Sequence, residues 1–311
     1  MTGFDNSSSS APPPGRSPRL LPTLGLLAVT AVWGSTFFMI ADIVRRIDVP
    51  DLLAVRFVLA ALVLTSLGWR SMRRLSSLAR RRGILLGFLY GVAQFLQTYG
   101  LAHTSPALSG FLTGMYVVLT PILGAVLVRM AITRSVAVAV LLAAGGLAVL
   151  SVHRGGGFGL GELLTLGSAL IYAVHIVALG RWSDPAEVFG MSAVQMLVIA
   201  AVSVLAALPG GIALPANTHD RVVVVYLALF AGALALIVQT WAQAHLPPTR
   251  AAITMCAEPV WAATFAVLFA SQPVTWRLLA GGGLIVTAMG VADIRGSQPS
   301  VPAAPPGELP L

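Results

Sequence analysis

Long apolar runs dominate the chain, and short polar segments separate them. Ten runs reach the length of about 17 to 25 residues that a helix needs to cross the hydrocarbon layer of a membrane. They comprise residues 20–40, 52–69, 83–102, 107–128, 136–152, 161–180, 188–208, 222–242, 251–270 and 275–292. Their apolar residues are continuous and do not alternate with polar ones, which favours helices over the strands of a β-barrel. The pattern therefore predicts an all-α integral membrane protein with ten transmembrane helices.

Composition and charge support this prediction and add a topology. Of the 311 residues, 57% are hydrophobic and 10% are charged, whereas soluble domains are about 25% charged. Net charge is +8, and all nineteen basic residues are Arg. Lysine is absent while Arg, Ala, Gly and Pro are abundant, which is typical of a GC-rich bacterial genome. The arginines lie mostly between the apolar runs, so the basic excess indicates membrane topology and no nucleic-acid partner is expected.

The arginines are distributed unevenly between the two sides of the predicted bundle. With the N-terminus in the cytoplasm, the inside segments hold Arg16, Arg19, Arg70, Arg73, Arg74, Arg80, Arg81, Arg82, Arg129, Arg134, Arg181, Arg250 and Arg295. The outside segments hold Arg45, Arg46, Arg154, Arg221 and Arg277. Thirteen arginines in the inside segments against five in the outside segments predict a multi-pass protein of the cytoplasmic membrane with both termini in the cytoplasm.

The two ends of the chain differ from the apolar body. Residues 1–19 are rich in Ser and Pro, and residues 296–311 are rich in Pro, so both are predicted to be disordered cytoplasmic segments. A cleaved signal peptide is the alternative interpretation of the first forty residues. The first apolar run is longer than a typical signal core and no small-residue cleavage site follows it, which favours a retained first helix.

A polar motif occurs twice in the chain. Gln97, Thr98, Ala102, His103 and Pro106 are identical to the residues 142 positions further on, Gln239, Thr240, Ala244, His245 and Pro248. The sequence therefore predicts two copies of one unit, residues 20–152 and 160–293, with five helices each. Because five is odd, the second copy enters the membrane from the opposite side. This predicts inverted repeats, an arrangement that secondary transporters use to alternate access to one site.

Glu258 is a carboxylate deep within the ninth apolar run. About eight residues into the run, it lies ~12 Å deep in a hydrocarbon layer ~30 Å thick. The next residue, Pro259, has no N–H to donate, so the carbonyl of Met255 is left without its helical partner. Tyr116 occupies the equivalent position in the first copy. A charge beside a broken helix typically lines a cavity, where Glu258 binds an organic cation, carries a proton, or only shapes the kink as a hydrogen-bonded carboxyl.

The candidate substrate-binding residues are aromatic, amide, hydroxyl, imidazole and carboxyl side chains within the predicted spans. They are Trp33, Ser35, Gln94, Gln97, Tyr116, Tyr172, His175, Gln239, Trp241 and Glu258. Ring faces suit the apolar or cationic parts of an amphiphilic solute, and amides suit its polar ends.

Each of these assignments has a structural alternative. Paired amides on one helix face also serve as interhelical glue, and a lone membrane histidine is more often a satisfied hydrogen-bonding group. Trp33 and Ser35 fit a packing face equally well. Arg56, near the end of the second run, is expected to extend toward the interface, with Asp48 or Asp51 as a partner. The glycine pairs of the fifth and tenth runs predict close helix packing without chemistry.

Several motifs together carry a family resemblance. They are Trp33-Gly34-Ser35, Arg56-Phe57, Tyr116-Val117-Val118, Glu162-Leu163-Leu164 and Ala257-Glu258-Pro259-Val260. In this order and spacing they resemble the drug/metabolite transporter superfamily, and within it the EamA-like ten-helix family. The resemblance implies a bundle of two inverted five-helix repeats around a central cavity. It further implies export, or less often import, of small metabolites such as amino acids or toxic amphiphiles.

The leading functional prediction is a secondary transporter of small organic solutes, working as an exporter. An intramembrane enzyme is the first alternative, but the sequence lacks a Gly-x-Ser-x-Gly or His-Glu-x-x-His pattern and has no Asp within a predicted span. A structural membrane protein is the second alternative, but such a protein has no need of a polar motif in both copies of the unit.

The composition also limits cofactors and partners. Cys256 is the single cysteine, and without Lys there is no P-loop. We expect no metal or cofactor. The expected partners are the lipid bilayer and a small-molecule substrate with possible proton coupling, in a monomer or homodimer.

Overall fold

The computed structural model describes residues 19–104, 106–151, 159–269 and 274–294, and these form helices joined by short connections. The helices are α1 (Leu20–Ile43), α2 (Val49–Arg74), α3 (Ser77–His103), α4 (Pro106–Gly114), α5 (Tyr116–Val128), α6 (Arg134–Ser151), α7 (Leu160–Trp182), α8 (Val188–Ala207), α9 (Thr218–Tyr226), α10 (Ala235–Gln243), α11 (Pro248–Met255), α12 (Glu258–Phe269) and α13 (Trp276–Ile294). A π-helix, Leu227–Leu234, joins α9 to α10. The all-helical prediction is confirmed for these residues. The predicted disordered segments, 1–19 and 296–311, lie outside them except for Arg19.

Each of the ten apolar runs is mainly helical where the structure describes it, but the lengths of the helices differ. Seven helical stretches are long and apolar enough to cross a membrane. They are Leu20–Ile43, Val49–Arg74, Ser77–His103, Ser109–Val128, Leu160–Trp182, Val188–Gly210 and Thr218–Gln243. Shorter apolar helical segments, Arg134–Gly146 and Leu279–Ala288, lie within α6 and α13. The ninth run is divided into α11 and α12 by a turn at residues 256–257.

The helix breaks occupy the same place in both copies of the repeated unit. Met115 separates α4 from α5, and Ala257, 142 positions later, lies in the turn between α11 and α12. The histidines of the repeated motif also match. His103 Nδ1 donates to the carbonyl of Tyr99 at 2.8 Å, and His245 Nδ1 donates to the carbonyl of Trp241 at 2.8 Å. The duplication is therefore structural as well as sequential.

Helix packing joins the first half of the chain to the second. The most extensive pairs are α2 with α8, α3 with α7, and α6 with α13. Helix α1 lies against α12 and α10, just as its counterpart α7 lies against α5 and α3. Every one of these pairs crosses between the halves. A continuous core results, which includes Phe57, Tyr116, Ile176 and Met255.

An ion-pair cluster ties α1 to α9 at one end of the bundle. Arg46 follows α1 and contacts Asp220 at 2.7 Å and Asp42 at 2.6 Å. Its hydrogen bonds to Asp220 and then to Asp42 raise the pKa of Arg46 above its ordinary value. His219 lies beside the two carboxylates, with one atom of each side chain within 4.8 Å of the others. Because Arg46 forms an ion pair with both carboxylates, we assign this cluster to helix contact and not to metal binding.

Close approach of α6 and α13 depends on glycine. A Cβ atom on Gly146 would lie 2.6 Å from the carbonyl oxygen of Gly281. Its neighbour Gly145 faces open space, with nothing within 4 Å of such an atom. The predicted packing role of this glycine pair therefore belongs to one of its two members.

We expect Gly146→Ala to destabilise the bundle by roughly 1–3 kcal/mol, because the added methyl meets backbone that cannot move alone. Gly145→Ala is the matched control and should stabilise the helix by up to about 1 kcal/mol through helix propensity. Thermal unfolding of both purified variants in detergent measures the difference. Equal melting temperatures for the two would contradict the assigned contact.

Candidate functional site

A polar cavity lies where the two halves of the chain meet. Its volume is about 50 Å³, and since a water molecule needs ~10–15 Å³ this is room for a few waters. A larger solute therefore requires the cavity to widen. Seven of the ten predicted residues line it: Trp33, Gln94, Gln97, Tyr116, Tyr172, Gln239 and Glu258. The other lining residues are Thr36, Phe37, Ile40, Arg56, Tyr90, Thr98, Leu101, Thr113, Ile176 and Met255.

The amides of α3 form a hydrogen-bonded chain along one wall. Gln94 Nε2 donates to the Tyr172 hydroxyl at 2.6 Å, and that hydroxyl donates to Gln97 Oε1 at 3.0 Å. Gln97 Nε2 then donates to Thr113 Oγ1 at 3.1 Å. The chain links α3 to α7 and α4, so these amides hold helices together. The same side chains face the cavity, so the packing and binding interpretations are compatible here.

Tyr116 closes the helix break in the opposite half of the chain. Its hydroxyl donates to the carbonyl oxygen of Met255 at 2.8 Å. This is the carbonyl that Pro259 leaves without a helical donor. A backbone carbonyl that loses its partner away from water destabilises the fold, so this contact holds the end of α11. Tyr116 and Glu258 are counterparts in the two copies, and the break brings them together.

Glu258 is the first residue of α12 and is 6% exposed. Its Oε2 atom lies 3.4 Å from the Tyr116 hydroxyl, a long contact. Within the described part of the chain it forms no ion pair. Among the described residues the carboxyl therefore has one long contact, with the Tyr116 hydroxyl, and it lines the cavity.

Gln239 holds the counterpart position to Gln97 and leaves an acceptor unused. Its Nε2 donates to Gln243 Oε1 at 3.1 Å, and Gln243 Nε2 donates to the carbonyl of Ile176 at 2.8 Å. Gln239 Oε1 is buried without a hydrogen-bond partner among the described residues. A buried amide oxygen without a donor is unfavourable, so this atom is available to a solute in the cavity.

Comparison with known proteins identifies the architecture. Residues 21–152 and 159–292 both match the EamA-like transporter family. The chain belongs to the EamA-like transporter family. The predicted drug/metabolite transporter resemblance is thereby confirmed, and this EamA-family protein is a multi-pass membrane transporter.

Two similar proteins extend the comparison over most of the chain. A protein of Archaeoglobus fulgidus named as an uncharacterized transporter is 28% identical over 283 residues, covering 89% of this chain and 87% of that protein. A solved structure described as the crystal structure of a protein has a TM-score of 0.73 at 22% identity. It covers 89% of this chain and 97% of the other chain, which supports the fold alone.

Three predicted residues of this EamA transporter lie outside the cavity. His175 is fully buried, and its Nε2 shares a hydrogen bond of 3.0 Å with Gln195 Oε1 on α8. Ser35 donates to the carbonyl of Val32 at 2.7 Å or shares a bond of 2.8 Å with the Tyr226 hydroxyl. The Trp241 ring packs over Gly25 and beside His245. Each contacts a neighbouring helix outside the cavity, although His175 Nδ1 is buried without a hydrogen-bond partner among the described residues.

Arg56 shows the opposite error. The expected extension toward the interface is wrong: Arg56 is 2% exposed and lines the cavity two turns into α2. Asp51, its suggested partner, accepts from the backbone N–H of Ala213 at 3.2 Å. Tyr90 was also missed, although residues 90, 94 and 97 share one face of α3 and their spacing is a usable signal.

We predict that Tyr116→Phe destabilises the EamA bundle by roughly 1–3 kcal/mol, because the buried Met255 carbonyl loses its donor. Tyr99→Phe is the matched control, since Tyr99 is 38% exposed. Melting temperatures in detergent compare the two variants. A loss in Tyr99→Phe as large as that in Tyr116→Phe would refute the assigned role of the hydroxyl.

Proposed function

We propose that the protein is a secondary transporter that exports small organic metabolites or amphiphilic drug-like compounds across the cytoplasmic membrane. It works by alternating access around the central cavity. The observation that carries this proposal is the buried polar cavity between the halves, with the Glu258 carboxyl at a helix break. In membrane proteins, irregular backbone and buried carboxyls at this depth typically line substrate or ion pathways. An intramembrane enzyme and a structural protein remain the alternatives that transport assays separate from it.

The proposed architecture is ten spans in two inverted repeats of five. In this arrangement α4 with α5, the segment from α9 to α10, and α11 with α12 each form one span. The counterpart helix pairings support it, because α1 lies on α10 as α7 lies on α3. Two equivalent halves can exchange conformations about one site. The bundle is proposed to work as a monomer or homodimer with both termini in the cytoplasm.

Contacts between counterpart helices, α1 with α9 and α7 with α3, support two gates. At one end Arg46 pairs with Asp220 between α1 and α9. At the other, the guanidinium of Arg82 lies 5.6 Å from the ring centre of Trp182, between α3 and α7. In the inverted arrangement these contacts face opposite sides of the membrane. Opening either side requires one of them to separate.

The topology predicts that single cysteines at Ser77 and Thr218 react from opposite sides. Both positions are exposed and make no side-chain hydrogen bond within the described residues. A membrane-impermeant maleimide should label Ser77→Cys only after the cells are opened, and Thr218→Cys in intact cells. Unaltered protein is the control, since Cys256 is fully buried and should not react. Reaction of both variants in intact cells would overturn the ten-span arrangement.

Glu258→Gln tests proton coupling, because glutamine keeps size and hydrogen bonding but cannot titrate. We expect the variant to lose accumulation driven by a proton gradient, with the ratio of solute across the membrane falling to about one, while exchange of bound solute persists. Glu187→Gln, outside the cavity, is the matched control. Proteoliposomes across pH ~5 to 8 provide the measurement.

In the competing interpretation, Glu258 and Pro259 only shape the helix kink and Glu258 does not carry a proton. Under it Glu258→Gln has little effect, while Pro259→Ala damages transport. Gradient-driven transport at the unaltered rate in Glu258→Gln would end the coupling hypothesis.

A further inference from the structure

Arg56 carries a buried charge that the described protein does not neutralise. It is 2% exposed and lines the cavity. Its Nε and Nη1 atoms are buried and have no hydrogen-bond partner among the described residues. It forms no ion pair in that part of the chain either. A buried cation without an anion is strongly unfavourable, so its retention in the cavity wall points to a ligand.

The second repeat shows that the fold does not need a cation at this position. Helices α2 and α8 are counterparts that begin 139 positions apart, at Val49 and Val188. At this offset Arg56 corresponds to Gln195, in matching Ala-Val-Arg and Ala-Val-Gln sequences. Gln195 is bonded to His175 and lies outside the cavity. A neutral amide thus serves the packing in one copy, while the other copy presents a guanidinium to the cavity.

The chemistry around Arg56 defines the solute it suits. A guanidinium is planar and always charged, and its N–H groups match the geometry of a carboxylate. Tyr90 and Tyr172 line the same cavity and offer ring surface to an apolar body. The Glu258 carboxyl lines the same cavity and offers an anion no positive charge. The cavity therefore orients an anionic solute with its charge toward Arg56.

We propose that Arg56 is the anion subsite of the transport cavity and that the transported solutes carry a carboxylate. The proposal rests on the transport function proposed above, and it adds a chemical requirement to it. Arg56 is then a specificity-determining residue: it selects carboxylates over neutral molecules of the same shape. Removal of its charge abolishes this selection without abolishing transport.

The test compares solutes that differ only in the charged group. The full-length protein is reconstituted into liposomes at pH about 7.5, where carboxylic acids are ionised. The liposomes are loaded with two matched pairs of solutes. These are 4-hydroxyphenylacetate with its carboxamide, and hippurate with its carboxamide. Efflux is measured by mass spectrometry against protein-free liposomes. We expect the unaltered protein to release the carboxylates at least about tenfold faster than the amides, because hydrogen bonds to a charged partner are the stronger ones.

Three variants assign the selection to Arg56. Arg56→Gln installs the residue of the other repeat and should bring the ratio of carboxylate to amide efflux to about one while amide efflux persists. Arg56→Lys keeps a cation and should retain part of the preference. Arg45→Gln, at an exposed position outside the cavity, is the matched control and should behave as the unaltered protein.

The outcomes separate this inference from the proposed function. Release of neither member of either pair above protein-free liposomes would contradict transport itself. Equal release of both members by the unaltered protein, or a preference retained by Arg56→Gln, would overturn the anion subsite alone. If the Arg56→Gln variant does not fold, as judged by size-exclusion chromatography, the proposal is tested by ligand binding to the unaltered protein. Its melting temperature must rise more with the carboxylate than with the amide, and an equal rise refutes the proposal.

Discussion

The requirement that every buried backbone group find a partner governs this structure. In the interior of a membrane bundle a carbonyl released by proline cannot turn to water. The Tyr116 hydroxyl supplies the missing donor to Met255 at 2.8 Å, and it does so from the other half of the chain. That single contact joins the two broken helices and fixes where α12 begins. Because Glu258 is the first residue of α12, it also fixes where the carboxyl meets the cavity.

The two repeats share one frame but have diverged in charge. Tyr116 and Glu258 are counterparts, as are Gln195 and Arg56, and in each pair one half has a neutral group where the other has a charge. The neutral members complete hydrogen bonds that hold helices together. The charged members face the cavity. The two ionisable side chains of the cavity thus come from different copies of the unit, Arg56 from the first and Glu258 from the second, while Tyr116 serves both helix packing and the cavity wall.

The errors of the sequence-based site have a common physical cause. His175 lies one turn from Tyr172 on α7, yet Tyr172 faces α3 and the cavity while His175 faces Gln195 on α8. Residues one turn apart on a helix point in similar but not identical directions. Because α7 packs against several neighbouring helices, this small difference in direction places the two side chains against different partners. Arg56 was misplaced for a related reason: its distance from the helix end suggested that it could reach water, but the surrounding helices enclose it.

The amino-acid sequence by itself determined the membrane class, the helical runs, the duplication and the free carbonyl at Met255. These follow from local rules: apolar run length, the missing N–H of proline, and a motif repeated at a fixed distance. Tertiary structure decided which polar side chains share the cavity, that Tyr116 completes the break, and that Arg56 is enclosed over the Phe57 ring with no hydrogen-bond partner for its Nε and Nη1 atoms among the described residues. Those outcomes depend on the rotation of each helix about its axis and on contacts between residues more than a hundred positions apart. No local pattern in the chain encodes either quantity.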